Sequence, residues 1–192
     1  ILVGTQMISK GFNFPKLNCI VVVDADFSGR GYDLRTTEKN IQLFHQLSGR
    51  AGRFSNQSLI IYQTLTPADQ TLDNIIKNNP EKFLDNELIL RKKNKLPPFS
   101  RLIAVIISST KKELSHRGAQ EIKNKLKAFS QLEVMGPVDS PILKKKKKFR
   151  SRLLLRFKKS ELLQKNIAYL LENLKISSKI KLTVDVDPVN FT

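Results

Sequence analysis

The chain has 192 residues, and 34 lysines and arginines against 17 aspartates and glutamates give it a formal net charge of +17. Its 40% hydrophobic content excludes a disordered chain, and its apolar runs are far shorter than the ~20 residues of a membrane-spanning helix. Cys19 is the single cysteine, which excludes an intramolecular disulfide and a cysteine-built zinc site. Because Cys19 lies in an apolar run, we expect its thiol to be buried.

The charge is unevenly distributed along the chain. Residues 1–90 hold nine basic and nine acidic side chains, whereas residues 91–192 hold 25 basic and eight acidic ones. This break favours two small domains over one large domain. We expect the first domain over residues 1–94, a linker over 95–100, and a basic domain over 101–192. The start of the chain carries no secretory-signal pattern, and it suggests a fragment of a longer cytoplasmic protein.

The first half alternates predicted strands and helices. Strands are predicted at the end of Ile1–Val3, at Asn18–Asp24, which we expect to be covered on both faces, and at Ser58–Thr64. Helices are predicted from Thr36 or Thr37 to about Ser48, over Ala68–Lys77 and over Glu81–Lys93. Strands separated by helices indicate an α/β fold with a parallel sheet.

The second half follows a different pattern. The segment KLPPFS, residues 95–100, contains a Pro-Pro pair that ends a helix and favours an extended linker. After it we predict, in order, strand Arg101–Ser108, helix Lys112–Ser130, strand Leu132–Met135, strand Arg150–Phe157, helix Ser160–Leu174 and strand Lys179–Asp185. This βαββαβ order predicts a split-βαβ, or ferredoxin-like, domain.

Two strings carry candidate chemistry. In QLSGRAGR, at the end of the first predicted helix, Arg50 and Arg53 lie three residues apart, with Gly49 and Gly52 clearing the space around them. Guanidinium groups suit phosphate oxygens and stabilise charge in phosphoryl transfer; the alternative is a pair of solvated arginines at a helix end. In GTQMISKGFNFP, small residues after a strand expose amides that can hold a phosphate, and Lys10 adds a charge; the alternative is an ordinary turn.

Together the two strings resemble motifs V and VI of superfamily-2 helicases. With the DAD of residues 24–26, the LPPF of residues 96–99, GPVDSPI and DVDPVNF, they resemble most closely the PriA family of replication-restart helicases (primosomal protein N′). The resemblance implies most of a second RecA-like lobe followed by a terminal DNA-binding domain.

The resemblance also implies roles for single residues. Gln46, Gly49, Arg50 and Arg53 would face the phosphates of ATP, with the two arginines catalytic. Gly4, Thr5 and Lys10 would contact DNA. ATP and Mg would be bound mainly by a first lobe, since G-K-[ST] and D-E-x-H motifs are not in this sequence. The family's zinc has no ligands here either. We therefore expect this chain to bind DNA without hydrolysing ATP.

The basic half suggests the DNA contacts. Residues 144–159 hold ten lysines and arginines and no acid. The lysine run is expected to be solvated and mobile unless an anion is present. Alternation along the next strand places its arginines on one face and Leu153, Leu155 and Phe157 inward, which predicts a salt-sensitive track for phosphates. The residues of this track are Lys144, Lys145, Lys146, Lys147, Lys148, Arg150, Arg152 and Arg156. The alternative is a solubilising loop.

Other candidates are weaker. Asp24 and Asp26 could pair on a metal, but a capped strand end is the favoured interpretation, so no metal site is predicted. His45 and His116 have no matching partners.

The leading hypothesis is therefore the C-terminal part of an ATP-dependent 3′-to-5′ DNA helicase for primosome assembly and fork restart. Its partners would be forked or single-stranded DNA, single-strand-binding protein and primosome proteins, with no membrane. Three alternatives remain: a stand-alone basic RNA- or DNA-binding module without ATPase, another superfamily-2 helicase, and an inert remnant of a split gene.

Overall fold

The computed structural model describes residues 1–5, 8, 14, 16–26, 34–51, 59–68, 70–77 and 79–189, and the backbone alone for Arg50, Ala51, Gln70, Thr71 and Pro80. The chain divides into two compact units, residues 1–86 and 87–192. The segment 95–100 lies inside the second unit.

The first unit contains a pair of parallel strands, β1 (Cys19–Val22) and β2 (Leu59–Tyr62), joined in the register Cys19↔Leu59 to Val22↔Tyr62. The helices are α1 (Thr36–Ala51), α2 (Gln70–Ile76) and α3 (Pro80–Lys93), the last of which continues into the second unit. The core is formed by Ala25, Ile41, Phe44, Leu72, Ile75 and Phe83. The ring of Phe44 meets that of Tyr62 edge to face, with centroids 5.2 Å apart. The predicted α/β arrangement with a parallel sheet is confirmed.

Three expectations for this unit are wrong. Alternate residues of both strands are exposed, so among the described residues only one face of the pair is covered. Cys19 lies on the uncovered face, and its thiol is exposed instead of buried. Residues 1–5 are also exposed and form no strand, so the strand end predicted at Ile1–Val3 is not observed.

The second unit is a four-stranded antiparallel sheet with two helices. Its elements are β3 (Arg101–Ser109), α4 (Lys112–Leu126), β4 (Glu133–Lys145), β5 (Lys148–Phe157), α5 (Glu161–Glu172) and β6 (Ile180–Val186). The strands lie in the order β4-β5-β3-β6, and every neighbouring pair is antiparallel. This is the predicted split-βαβ arrangement.

The core of this unit lies between the sheet and the two helices. Ile103, Val105 and Ile107 of β3 alternate inward with Leu153 and Leu155 of β5. From the helices, Ile122 and Leu126 of α4 and Ile167 and Leu171 of α5 pack against them. Side chains at the intervening positions of each strand therefore lie on the opposite side of the sheet, which we call the outer face.

Strand β4 is much longer than the predicted Leu132–Met135. Its ladder with β5 is interrupted between Met135 and Val138 and again between Asp139 and Lys144. Gly136 lies at the first interruption with φ 97°, and a Cβ there would lie 2.7 Å from the carbonyl oxygen of Arg152. Gly-Pro therefore produces a bulge inside the strand instead of ending it.

The segment 94–100 is a compact turn instead of an extended linker. The helix α3 ends at Lys93, before the prolines, as predicted. The amide of Leu96 then donates to the carbonyl of Arg91 over 2.9 Å, and the hydroxyl of Ser100 donates to the carbonyl of Lys95 over 2.7 Å.

No helix in the described ranges is both long enough and apolar enough to cross a membrane.

Candidate nucleic-acid interface

The outer face of the sheet is organised in rows across β5, β3 and β6. The first row joins Arg150, Ser108 and Lys181, and the second joins Arg152, Ile106 and Thr183. The third row joins Leu154, Ala104 and Asp185, and the fourth joins Arg156 and Leu102. The outer face is thus basic and hydroxyl-rich at one end and apolar or ion-paired at the other.

The predicted inward and outward alternation of β5 is confirmed. Leu153 and Leu155 are fully buried, and Phe157 is 3% exposed. Arg150, Arg152 and Arg156 occupy the intervening positions and share the outer face. Their predicted roles as DNA contacts stay predictions.

Arg156 is engaged by the protein itself. Its Nε lies 2.9 Å and its Nη2 2.7 Å from Glu133 Oε2, and Nη2 also lies 2.8 Å from Glu133 Oε1. Its Nη1 donates to the carbonyl of Asn94 over 2.8 Å. The guanidinium therefore links β5 to the edge strand β4 and to the residue that follows α3, and the protein itself already occupies most of its donors.

Arg150 is the most buried cation of the face. The residue is 8% exposed, and its Nη1 has no hydrogen-bond partner among the described residues. Ser140, where β4 leaves its register with β5, is 3% exposed, and its hydroxyl has no partner there either. No sequence pattern indicated that these atoms of Arg150 and Ser140 would lack partners among the described residues. Sequence reasoning also missed Lys181 and Thr183, although the Lys-x-Thr spacing of β6 places both on one face of the strand.

The lysine run forms a hairpin that joins β4 and β5, and its lysines are solvated as predicted. Lys145 pairs with Lys148 across β4 and β5, and Lys146 and Lys147 form the turn with φ 49° and 62°. Two successive residues with positive φ match a two-residue hairpin turn of type I′. All five lysines, Lys144–Lys148, are exposed, and Lys144 Nζ lies 5.0 Å from the centroid of the Phe149 ring. We call Lys144–Lys148 the lysine hairpin.

The candidate nucleotide-facing residues lie at the end of α1. Gln46 is exposed, and Gly49 has open space around it, since no described atom would lie within 4 Å of a Cβ added there. The backbone of Arg50 belongs to the last turn of α1, and Arg53 lies outside the described residues. The helix ends at Ala51, three residues beyond the predicted end at about Ser48.

The candidate DNA-contacting residues of the first unit are exposed where they are described. Gly4 and Thr5 lie at the surface, and the carbonyl of Thr5 accepts a hydrogen bond of 3.0 Å from the amide of Ile8. Lys10 lies outside the described residues, as does Gly11.

Asp26 holds the turn that follows β2. Its carboxylate accepts hydrogen bonds from the amide of Leu65 at 2.6 Å, from the hydroxyl of Thr66 at 2.7 Å and from the hydroxyl of Thr64. These bonds, the Leu65 amide first, lower the pKa of Asp26 from 3.8 to about 2. The described residues contain no cluster of three or more metal-ligating side chains. The carboxylate therefore ties together the ends of two parallel strands.

The chain is similar to proteins named replication restart protein PriA. It is 36% identical to that of Rickettsia conorii over 100% of this chain and 29% of the relative. It is 33% identical to that of Borreliella burgdorferi, over 99% of this chain and 29% of the relative. It is 32% identical to that of Bacillus subtilis, over 98% of this chain and 24% of the relative. The chain thus spans less than a third of the length of these relatives.

Two family descriptions match consecutive parts of the chain. Residues 1–55 match the helicase conserved C-terminal domain, the RecA-like lobe that the α/β arrangement of the first unit indicates. Residues 92–189 match the primosomal protein N C-terminal domain, which covers the antiparallel sheet and its outer face. The chain therefore belongs to the primosomal protein N family.

Proposed function

We propose that this chain is the C-terminal part of an ATP-dependent 3′-to-5′ DNA helicase that acts in primosome assembly and replication-fork restart. In this proposal the second unit binds the DNA backbone, and the first unit faces the nucleotide. The observation that carries the DNA-binding role is the basic end of the outer face. There Arg150 and Arg152 lie in adjacent rows beside the exposed lysine hairpin.

The arrangement favours backbone contact. Lysines and arginines that neutralise phosphates release condensed counterions, which gives affinity with a strong salt dependence. Split-βαβ domains that read single-stranded RNA stack bases on aromatic side chains of the sheet. Here Phe149 and Phe157 occupy the helix-facing positions of β5, and the outer-face rows of the described strands contain no aromatic residue. This distribution supports a DNA-backbone role over an RNA-stacking module.

The nucleotide-facing role rests on the last turn of α1 and the residues after it. Gln46 and Gly49 are exposed there, and Arg50 and Arg53 would place planar, permanently charged donors against phosphate oxygens. Magnesium would neutralise charge on the nucleotide when bound. We assign the binding of ATP and Mg to the remainder of the helicase, and to Arg50 and Arg53 the stabilisation of charge that develops on the transferred phosphoryl group.

The relatives are named for replication restart, which supports partners that are found at restarting forks. They are forked or single-stranded DNA, single-strand-binding protein and other primosome proteins.

Three experiments test the proposal. Fluorescence anisotropy of the 192-residue chain with labelled forked DNA, duplex DNA and RNA should show tightest binding to the fork. Equal affinity for RNA would favour a general nucleic-acid-binding module instead. DNA-stimulated ATPase of the isolated chain should be absent, and appreciable turnover would contradict the assignment of ATP binding to the rest of the enzyme. In the complete helicase, Arg53→Ala should abolish turnover with little loss of nucleotide affinity.

A further inference from the structure

The row of residues nearest the lysine hairpin contains donors and no carboxylate. Arg150, Ser108 and Lys181 lie side by side across β5, β3 and β6. The nearest acid along β6 on this face is Asp185, two rows away, beyond Thr183. Asp139 of β4 pairs with Ser151 in the ladder, so it belongs to the helix side, where its carboxylate lies 2.8 Å from Lys112 Nζ.

Two buried polar groups of this region form no hydrogen bond with the residues that the structure describes. Arg150 Nη1 and Ser140 Oγ form no hydrogen bond among the described residues, and their residues are 8% and 3% exposed. A buried donor without a partner carries its full desolvation penalty, so each is normally satisfied by protein, water or a ligand. The two lie at the same interruption of the ladder. Four residues of β4, 140–143, face the single residue Arg150 of β5 between Asp139↔Ser151 and Lys144↔Phe149.

We propose that Arg150 and Ser140 form a subsite for one phosphate group, with Lys181 and Ser108 completing the row. The inference rests on the proposed DNA-binding function and narrows it to a single position. The ligand chemistry is an oxoanion with several acceptor oxygens, because guanidinium, ammonium and hydroxyl groups all donate to it. A backbone phosphodiester and free phosphate share this chemistry. The bulged segment 140–143 lies in β4, at the edge of the sheet.

The subsite gives two arginines of β5 different roles. Arg156 donates to Glu133 and to Asn94, so we assign it to holding the sheet together. Arg150, with a donor left over, is assigned to the phosphate.

The variant Ser140→Ala tests the subsite because it removes one hydroxyl and little else. If the hydroxyl serves the ligand, forked DNA should bind about tenfold more weakly, while the melting temperature stays the same or rises. The matched control is Ser151→Ala. That serine is fully buried on the helix side, and its hydroxyl lies 3.1 Å from that of Ser115. The control should lower the melting temperature and leave DNA affinity unchanged.

Arg150→Lys is a second variant, which keeps the positive charge and replaces the planar guanidinium group with an ammonium group. It should weaken DNA binding at least as much as Ser140→Ala. Unchanged DNA affinity in both variants overturns the subsite. If the hairpin variant Lys146→Asn/Lys147→Gly then still weakens binding, the proposed function stands and only the subsite fails. Absence of DNA binding by the unaltered chain overturns both.

Inorganic phosphate distinguishes the two sources of the ligand. At ionic strength matched with chloride, phosphate should raise the melting temperature of the unaltered chain, and the rise should disappear in Ser140→Ala. A rise of equal size in Ser140→Ala overturns the subsite. Replacing the phosphodiester linkages of forked DNA with neutral methylphosphonates should lower its affinity for the unaltered chain. The same replacement should lower its affinity for the Ser140→Ala variant by a smaller factor. An equal loss in both proteins contradicts a contact between the subsite and the backbone.

Discussion

Replacing the turn of the lysine hairpin with the preferred type I′ sequence, Lys146→Asn/Lys147→Gly, should make the protein more stable and a weaker DNA binder. Both lysines adopt φ > 0, a region that costs an L-residue with a Cβ roughly 1–2 kcal/mol. Asn-Gly tolerates this conformation. The substitution also removes two charges between Lys145 and Lys148, which lie directly opposite each other.

The two effects have estimable sizes. Because glycine also increases the entropy of the unfolded chain, we expect a net gain of about 1–2 kcal/mol in the free energy of unfolding. If both lysines neutralise phosphates, their loss should reduce the slope of log K against log salt by about 1.4 for single strands and about 1.8 for duplex.

Urea unfolding and DNA anisotropy over a salt series measure the two quantities. The control Lys125→Gln/Lys127→Gln removes two charges from exposed positions at the end of α4, on the helix side of the sheet, and should leave the salt slope nearly unchanged. An equal fall of the slope in the control would show that net charge, and not the hairpin, governs binding. A less stable hairpin variant would contradict the turn assignment.

Two further predictions concern stability. The pKa of Asp26 is lowered from 3.8 to about 2. The ionised carboxylate therefore stabilises the fold fully above about pH 4, and this stabilisation is lost as the pH falls through about 2. Asp26→Asn should therefore lower stability at neutral pH and flatten the acid dependence, and an unchanged acid profile would refute the role of this carboxylate. Gly136→Ala should destabilise the second unit by about 1–3 kcal/mol in urea unfolding, because Gly136 has φ 97° and a Cβ would meet the Arg152 carbonyl. Equal stability would mean that the bulge relaxes freely.

Local patterns in the sequence predicted much of the second unit. In β5, apolar residues alternate with arginines at a period of two, and the structure buries Leu153 and Leu155 while placing Arg152 on the outer face. The period is a property of the single strand, so it needs no knowledge of the neighbours. The βαββαβ order likewise predicted the sheet order, because few topologies satisfy it.

Pairing between strands was harder to predict. The sequence around Gly136 indicated the end of a strand, yet β4 continues to Lys145 because β5 supplies a partner on the far side of the bulge. Five consecutive lysines indicated a loop, yet the same partner draws Lys145 and Lys148 into the ladder. Cys19 was expected to be buried from its apolar neighbours, but burial depends on which face a helix covers.

The candidate site was predicted in part. The sequence placed the basic residues in the correct strand, but it gave no indication that Arg156 is engaged by Glu133, a residue 23 positions away. The unpartnered hydroxyl of Ser140 also depends on the interrupted register, which tertiary pairing determines.

We propose above all that the basic outer face and the lysine hairpin bind the backbone of DNA. This proposal is tested most directly by the affinity of the 192-residue chain for forked DNA across a salt series, compared with the Arg150→Lys and Lys146→Asn/Lys147→Gly variants. We expect affinity to fall steeply with salt in the unaltered chain, and we expect both variants to bind more weakly, the hairpin variant with a flatter slope. Salt-independent binding, or equal affinity and slope in all three proteins, would contradict it.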